Sequence, residues 1–179
     1  MLLVLLLLCL IAGYTDLRWH KIPNRLTYPA TAGAVVMNGV ASLISSPVST
    51  EWGLIGWEAS LSGAGLCFVV MLAVLLFFGI GGGDLKLLTM VGAFLGPSQG
   101  LEVLLWSAVL GAGVAVALLI WRVGLVKLIY YGLQHLASVL HLGRPLNLTD
   151  EEKKQLQAPL YLAPVTAVAV LLVVTNLFG

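Results

Sequence analysis

Gly81-Gly82-Gly83-Asp84-Leu85-Lys86 follows the apolar run 57–80. In this segment an acid, Asp84, comes directly after three glycines, and a base, Lys86, lies two residues further on. An ionisable side chain at membrane depth is costly unless it is hydrated or paired, so an acid in this setting is a candidate for function. Asp16 follows another apolar run, residues 1–15, in the same way. Asp84 and Asp16 are therefore the first candidates for a functional site.

The composition indicates that lipid is the main solvent of this chain. Hydrophobic residues make up 60% of the 179 residues and charged residues only 9%. About 20 residues are needed for each helical crossing of a bilayer. We therefore expect an all-α, polytopic membrane helix bundle that forms one domain over residues 1–179, with the lipid bilayer as a partner and no nucleic acid.

Six apolar segments are predicted to cross the membrane, at residues 1–15, 27–46, 57–80, 85–96, 101–121 and 158–178. The first and fourth are too short to cross a hydrocarbon core about 30 Å thick at about 1.5 Å per residue. Their cytoplasmic ends are therefore expected to lie in a wetted recess below the membrane surface.

Basic residues predict the orientation, because Lys and Arg are retained on the cytoplasmic side. With both termini outside and six crossings, the outer segments hold Glu51, Glu58 and Glu102 and no basic residue. The cytoplasmic segments then carry all nine basic residues: Arg18, Lys21, Arg25, Lys86, Arg122, Lys127, Arg144, Lys153 and Lys154. This topology places Asp16 and Asp84 at the cytoplasmic face.

Close helix packing is needed to bring the two acids together, and small residues that permit it are frequent. They include Gly33, Gly39, Gly63, Gly65, Gly111 and Gly113.

Residues 122–157 form the longest segment that is not predicted to cross the membrane. Polar residues recur within it at intervals of four, three, four and three, namely Lys127, Tyr131, Gln134, Ser138 and His141. One polar stripe on an apolar helix is typical of a helix lying in the membrane interface. We predict a cytoplasmic interfacial helix, which either closes that face or acts as a platform or gate over a buried site.

Neither histidine nor cysteine spacing predicts a metal or cofactor. His135 and His141 are six residues apart and point to different faces of a helix, and His20 is isolated. Cys9 and Cys67 lie in separate apolar segments, which predicts neither a zinc site nor a disulfide framework.

Two carboxyl groups a few ångströms apart can hydrolyse a peptide bond without a covalent intermediate. They cannot both ionise, so the ionised member can deprotonate water while the protonated member polarises a carbonyl. Backbone without Cβ atoms at Gly81 and Gly83 would let an extended substrate approach closely. Lys86 would favour the charged form of a nearby carboxylate.

Structural explanations for the two acids remain open at this point. Asp84 is also suited to cap the helix that follows it, with the glycines as an ordinary break between spans. Asp16 is also suited to pair with Arg18 or His20 as a juxtamembrane charge.

Two motifs resemble those of the type IV prepilin leader peptidase family. In the segment 16–26, an Asp is followed by Ile22-Pro23-Asn24, and the segment 81–88 is similar to the family's GxGD motif, including the Lys. The resemblance implies an intramembrane aspartic endopeptidase of the bacterial inner membrane, serving type IV pilus or secretion systems. Such an enzyme removes the short basic leader of pilin-like precursors at the cytoplasmic face.

The same resemblance implies roles for individual residues. Asp16 and Asp84 would be the catalytic pair. Binding of substrate or support of the site would fall to five residues, Gly81, Gly83, Lys86, Pro23 and Asn24. Longer family members carry an insertion with paired CxxC motifs and a methyl-transfer activity. This sequence contains no CxxC, so methyl transfer is not expected, and it resembles the compact peptidases of tight-adherence pili.

Two functions from other classes are alternatives. A proton- or ion-coupled transporter would use Asp16 and Asp84 as a relay, but it predicts acids spread through the membrane depth. A non-catalytic assembly scaffold would need neither acid. The sequence leaves open the oligomeric state and the identity of the precursor.

Overall fold

A computed structural model describes residues 1–19, 21–44, 53–78, 81–124 and 162–175, and every regular element in these ranges is a helix. The elements are α1 (Leu2–Trp19), α2 (Asn24–Ile44), α3 (Trp57–Phe78), α4 (Gly82–Val123) and α5 (Leu162–Val174). Three stretches are long and apolar enough to cross a membrane: Leu2–Trp19, Trp57–Phe77 and Gly82–Trp121. The all-α prediction is confirmed for the described ranges. The predicted interfacial helix over 127–141 lies outside them.

The chain divides into two compact units. The first contains Met1–Leu110 together with Tyr161–Gly179, and the second is Gly111–Leu160. The first unit contains α1, α2, α3, α5 and residues 82–110 of α4. In the second unit, the described residues are helical as far as Val123.

The long helical element α4 reverses direction at Gly96. This glycine has φ 83° and ψ −177°, a left-handed conformation suited to a residue without Cβ. A Cβ built on Gly100 would lie 3.0 Å from the Cα atom of Gly92. Residues eight apart in a continuous helix are separated by about 12 Å, so the chain must fold back between them. The two parts of α4 correspond to the separately predicted segments 85–96 and 101–121.

Proline at the reversal explains how the second part of α4 begins. Pro97 lacks an N–H and has φ fixed near the helical value, so it fits the first position of a helix. Its missing N–H leaves the carbonyl of Ala93 without the donor that a continuous helix would supply four residues later. In a lipid setting such a carbonyl needs another partner.

Two buried side chains from neighbouring helices supply that partner. Asn38 of α2 donates from Nδ2 to the Ala93 oxygen at 3.3 Å, and Ser60 of α3 donates from Oγ at 2.7 Å. The Asn38 Oδ1 atom also accepts from the backbone N–H of Ile55 at 3.1 Å. These hydrogen bonds join α2 and α3 to the last turn of the first part of α4, just before the reversal at Gly96.

Helix α3 packs on α4 through backbone contact at two glycines. A Cβ on Gly63 would lie 2.3 Å from the Gly92 oxygen, and a Cβ on Gly92 would lie 2.4 Å from the Gly63 oxygen. No side chain fits at either position. Gly63 was among the predicted close-packing residues, whereas Gly92 was not. Cβ atoms on Gly33 and Gly65 would meet nothing within 4 Å.

Helix α1 lies against α5, and this contact supports the end of α1. A Cβ on Gly13 would lie 3.2 Å from the Cα atom of Pro164. Leu5, Cys9 and Ala12 of α1 belong to the same buried cluster as residues of α4 and α5. The part of α1 that precedes Asp16 is therefore packed against the protein interior.

We predict that Gly63→Ala destabilises the fold by about 1 to 3 kcal/mol, because the methyl group would overlap the backbone of α4. The thermal midpoint of the purified protein in detergent measures the loss. Gly65→Ala, two residues away on α3, is the matched control and should be neutral or stabilising, since alanine favours a helix over glycine. Equal midpoints for the two variants would contradict the backbone contact.

We further predict that Asn38→Leu costs about 1 to 3 kcal/mol, because the Ile55 N–H loses its acceptor and Ala93 loses one donor. Ser60→Ala should cost less, since Asn38 still donates to the Ala93 oxygen. Chemical or thermal denaturation of the two variants in the same detergent gives the comparison. A larger loss for Ser60→Ala would show that Asn38 is not the principal connection.

Candidate functional site

Asp16 lies in the last turn of α1, which continues to Trp19 instead of ending with the apolar run at residue 15. The helix extends because Arg18 near its C-terminus interacts favourably with the helix dipole. An acid near that end is unfavourable by the same principle, so helix stability does not explain Asp16. Its side chain is half-buried.

Asp84 lies in the first turn of α4, and its side chain is also half-buried. Its backbone N–H donates to the Gly81 carbonyl at 3.1 Å. Negative charge is favourable at a helix N-terminus, so this position fits the helix-start role that the sequence left open. That role does not account for the electrostatic interaction between Asp84 and Asp16.

The structure brings the two predicted acids together. The charge of Asp16 acts on the carboxyl group of Asp84, although the residues belong to different helices. Two full negative charges in partly buried surroundings repel more strongly than they would in water. Such a pair persists when one proton is shared or when neighbouring contacts offset the repulsion.

The glycines before Asp84 lie at the site itself. A Cβ on Gly81 would lie 3.6 Å from the Asp84 Oδ2 atom, so this glycine borders the carboxylate. A Cβ on Gly83 would lie 3.4 Å from three side-chain atoms of Ile22, which packs over it. Gly82 and Gly83 are already part of the first turn of α4.

Ile22, Pro23 and Asn24 each make a different contact in the structure. Ile22 covers Gly83 beside Asp84. The Pro23 carbonyl accepts from the Leu26 N–H at 3.0 Å and so begins the hydrogen bonding of α2. Asn24, the first residue of α2, reaches the start of α4 through its side chain.

Lys86 is the residue that Asn24 reaches. The Lys86 Nζ atom donates to Asn24 Oδ1 at 2.8 Å and lies 5.4 Å from the ring centroid of Tyr28. Such a hydrogen bond contributes about 1 kcal/mol and an exposed cation–π contact about 0.5 to 1 kcal/mol. These contacts direct the ammonium towards α2. From the sequence, Lys86 was predicted to favour the charged form of a nearby carboxylate, and Tyr28 was not predicted to contact it.

One signal in the sequence favours Tyr28. It lies four residues after Asn24, and residues at that spacing share a helix face. His20, the alternative partner for Asp16, lies outside the described ranges. Among the residues that the structure describes, no three His, Cys, Asp or Glu side chains converge as metal ligands would.

Comparison with known proteins gives the following similarities. The profile of the type IV leader peptidase family matches residues 3–116. Prepilin leader peptidase/N-methyltransferase of Bacillus subtilis (strain 168) is 31% identical over 114 residues, which cover 61% of this chain and 40% of that relative. This chain thus aligns with well under half the length of that protein. No solved structure gives a significant match.

Proposed function

Because the chain belongs to the type IV leader peptidase family, we propose that it is an intramembrane aspartic endopeptidase that removes the basic leader of pilin-like precursors. The observation that carries this proposal is the electrostatic interaction between Asp16 and Asp84, two half-buried acids from different helices. Leader removal alone is proposed, without methyl transfer. The family match confirms the family predicted from the two motifs.

The two carboxyl groups would act as an acid and base pair. The ionised carboxylate takes a proton from water, and the water oxygen attacks the carbonyl carbon of the scissile peptide. The protonated carboxyl group donates its proton to the carbonyl oxygen as the tetrahedral intermediate forms. Collapse of this intermediate breaks the C–N bond, and a proton passes to the leaving amine. Asp16 and Asp84 exchange roles during the cycle.

The proposed site opens to the cytoplasmic face of the bacterial inner membrane, with six crossings and both termini outside. The exposed side chains of Arg18, Lys21 and Arg25 follow Asp16 closely, which favours a cytoplasmic position for that end of the bundle. Counting the two parts of α4 separately, six helical segments occur in the described ranges. Three stretches among them are long and apolar enough to cross a membrane, which supports the proposed multi-pass arrangement.

The proposed substrate would approach as an extended strand beside Gly81. This residue is exposed and borders the Asp84 carboxylate. A strand that passes a glycine can bring its backbone closer to the carboxylate than any side chain would allow. Gly81 and Gly83 are thus proposed to line or support the substrate path, and Pro23 and Asn24 to support the site.

We expect Asp16→Asn and Asp84→Asn each to reduce leader removal roughly a hundredfold or more, because each removes one member of the acid and base pair. Co-expression of the full chain with a pilin-like precursor, followed on a gel, measures the loss. Glu58→Gln is the matched control, since it neutralises an exposed acid at the start of α3. Both Asp variants should accumulate in the membrane like the parent chain.

Normal processing by either Asp variant would contradict the proposed pair. So would an equal loss in Glu58→Gln, because that result would indicate a general effect of charge on expression or folding.

Gly81→Ala should slow cleavage roughly tenfold or more, because its methyl group would contact the Asp84 carboxylate where water and substrate approach, and small displacements there are costly. Gly82→Ala is the matched control, since a Cβ at Gly82 meets nothing within 4 Å. Initial cleavage rates of purified variants give the comparison. Equal rates for the two variants would remove Gly81 from the substrate path.

A further inference from the structure

We propose that Lys86, Asn24 and Tyr28 form a clamp that holds the beginning of α4 against the beginning of α2, and that Lys86 is a positioning residue for the acid pair. This inference rests on the proposed function only where cleavage is measured. Lys86 acts on the two carboxyl groups through the position of their helices and not by contacting them.

The contacts define the clamp. Asn24 and Tyr28 lie four residues apart on one face of α2, and both touch the Lys86 ammonium. Lys86 is two residues beyond Asp84, in the first turns of α4. The segment that enters α2 comes directly from the end of α1, which carries Asp16. The clamp therefore connects the helix that carries Asp84 to the helix that follows Asp16 in the chain.

The position of Lys86 in its helix requires an explanation other than helix stability. A positive charge near a helix N-terminus is unfavourable, because the unpaired N–H groups there already carry partial positive charge. A lysine in these turns of α4 thus works against the helix that contains it. The hydrogen bond to Asn24 and the contact with the Tyr28 ring offset that cost.

The clamp opposes the repulsion between Asp16 and Asp84. Asp16 and Asp84 interact as like charges, so the ends of α1 and α4 are pushed apart unless other contacts oppose them. The backbone before Asp84 contains three glycines and offers little stiffness of its own. The apolar contact of Ile22 with Gly83 and the clamp both oppose separation at this point.

A thermal melting cycle tests the clamp without any cleavage assay. Asn24→Leu should lower the melting midpoint of the full chain in detergent by about 2 to 4 °C. In a Lys86→Met background the same substitution should lower it by less than half as much, because the connection between Lys86 and Asn24 is already lost. If Lys86 acted on Asp84 without Asn24, Asn24→Leu would lower the midpoint equally in both backgrounds.

Cleavage kinetics give a second test. Lys86→Met and Asn24→Leu should each lower kcat roughly tenfold with little change in KM, and the double variant should be no worse than either one, since both remove the same connection. Lys86→Arg should retain most activity, because a guanidinium can still donate to Asn24 and stack on Tyr28. Lys21→Met is the control for loss of an exposed charge at the same end of the bundle.

The outcomes test the clamp and the proposed function separately. Additive losses in Lys86→Met/Asn24→Leu, or equal midpoint shifts in both backgrounds, would overturn the clamp. A loss in Lys21→Met equal to that in Lys86→Met would overturn it as well. If the parent chain cleaves no pilin-like precursor, the proposed function is contradicted, and the melting cycle then decides the clamp alone.

Discussion

The electrostatic interaction between Asp16 and Asp84 links the end of α1 to the start of α4 in the first unit. Asp16 lies at the end of one helix and Asp84 at the start of another, and the charge of Asp16 acts on the Asp84 carboxyl group. Keeping like charges together in partly buried surroundings costs free energy. Contacts on both sides of the pair oppose that cost, with α5 behind α1 at Gly13 and with Ile22 and Lys86 at the start of α4.

The bilayer imposes the second constraint, which explains the other half of the structure. Backbone groups in lipid need internal partners, so a helix that ends within the bundle must have its last carbonyls satisfied. Gly96 and Pro97 end the first part of α4, and Asn38 and Ser60 donate to the carbonyl left free. Contact between Gly63 and Gly92 allows α3 to come close enough for this bonding.

Much of this organisation could be predicted from the sequence. Apolar runs located the helices, and the break between segments 85–96 and 101–121 anticipated the reversal at Gly96. The acid pair and the Ile-Pro-Asn segment were identified through motifs. Helix ends were less accurate, because α1 continues past residue 15 to Trp19, with Arg18 favourable in its last turn.

Contacts between distant residues could not be predicted in the same way. Nothing in the sequence distinguishes Gly63, which touches α4, from Gly65, which meets nothing within 4 Å. Lys86 was expected to act on a carboxylate because the two are near in sequence, whereas its described contacts are with Asn24 and Tyr28. Tertiary packing decides both cases.

The proximity of the two carboxyl groups can be measured directly by cross-linking in native membranes. In a chain carrying Cys9→Ala and Cys67→Ala, the pair Asp16→Cys and Asp84→Cys should be joined efficiently by a short thiol cross-linker, as read by mass spectrometry. A pair made of Asp16→Cys and Glu58→Cys serves as the distant control. Efficient joining of residues 16 and 84 alone is the predicted result; equal or absent joining of both pairs, with all thiols reactive, would contradict a shared site.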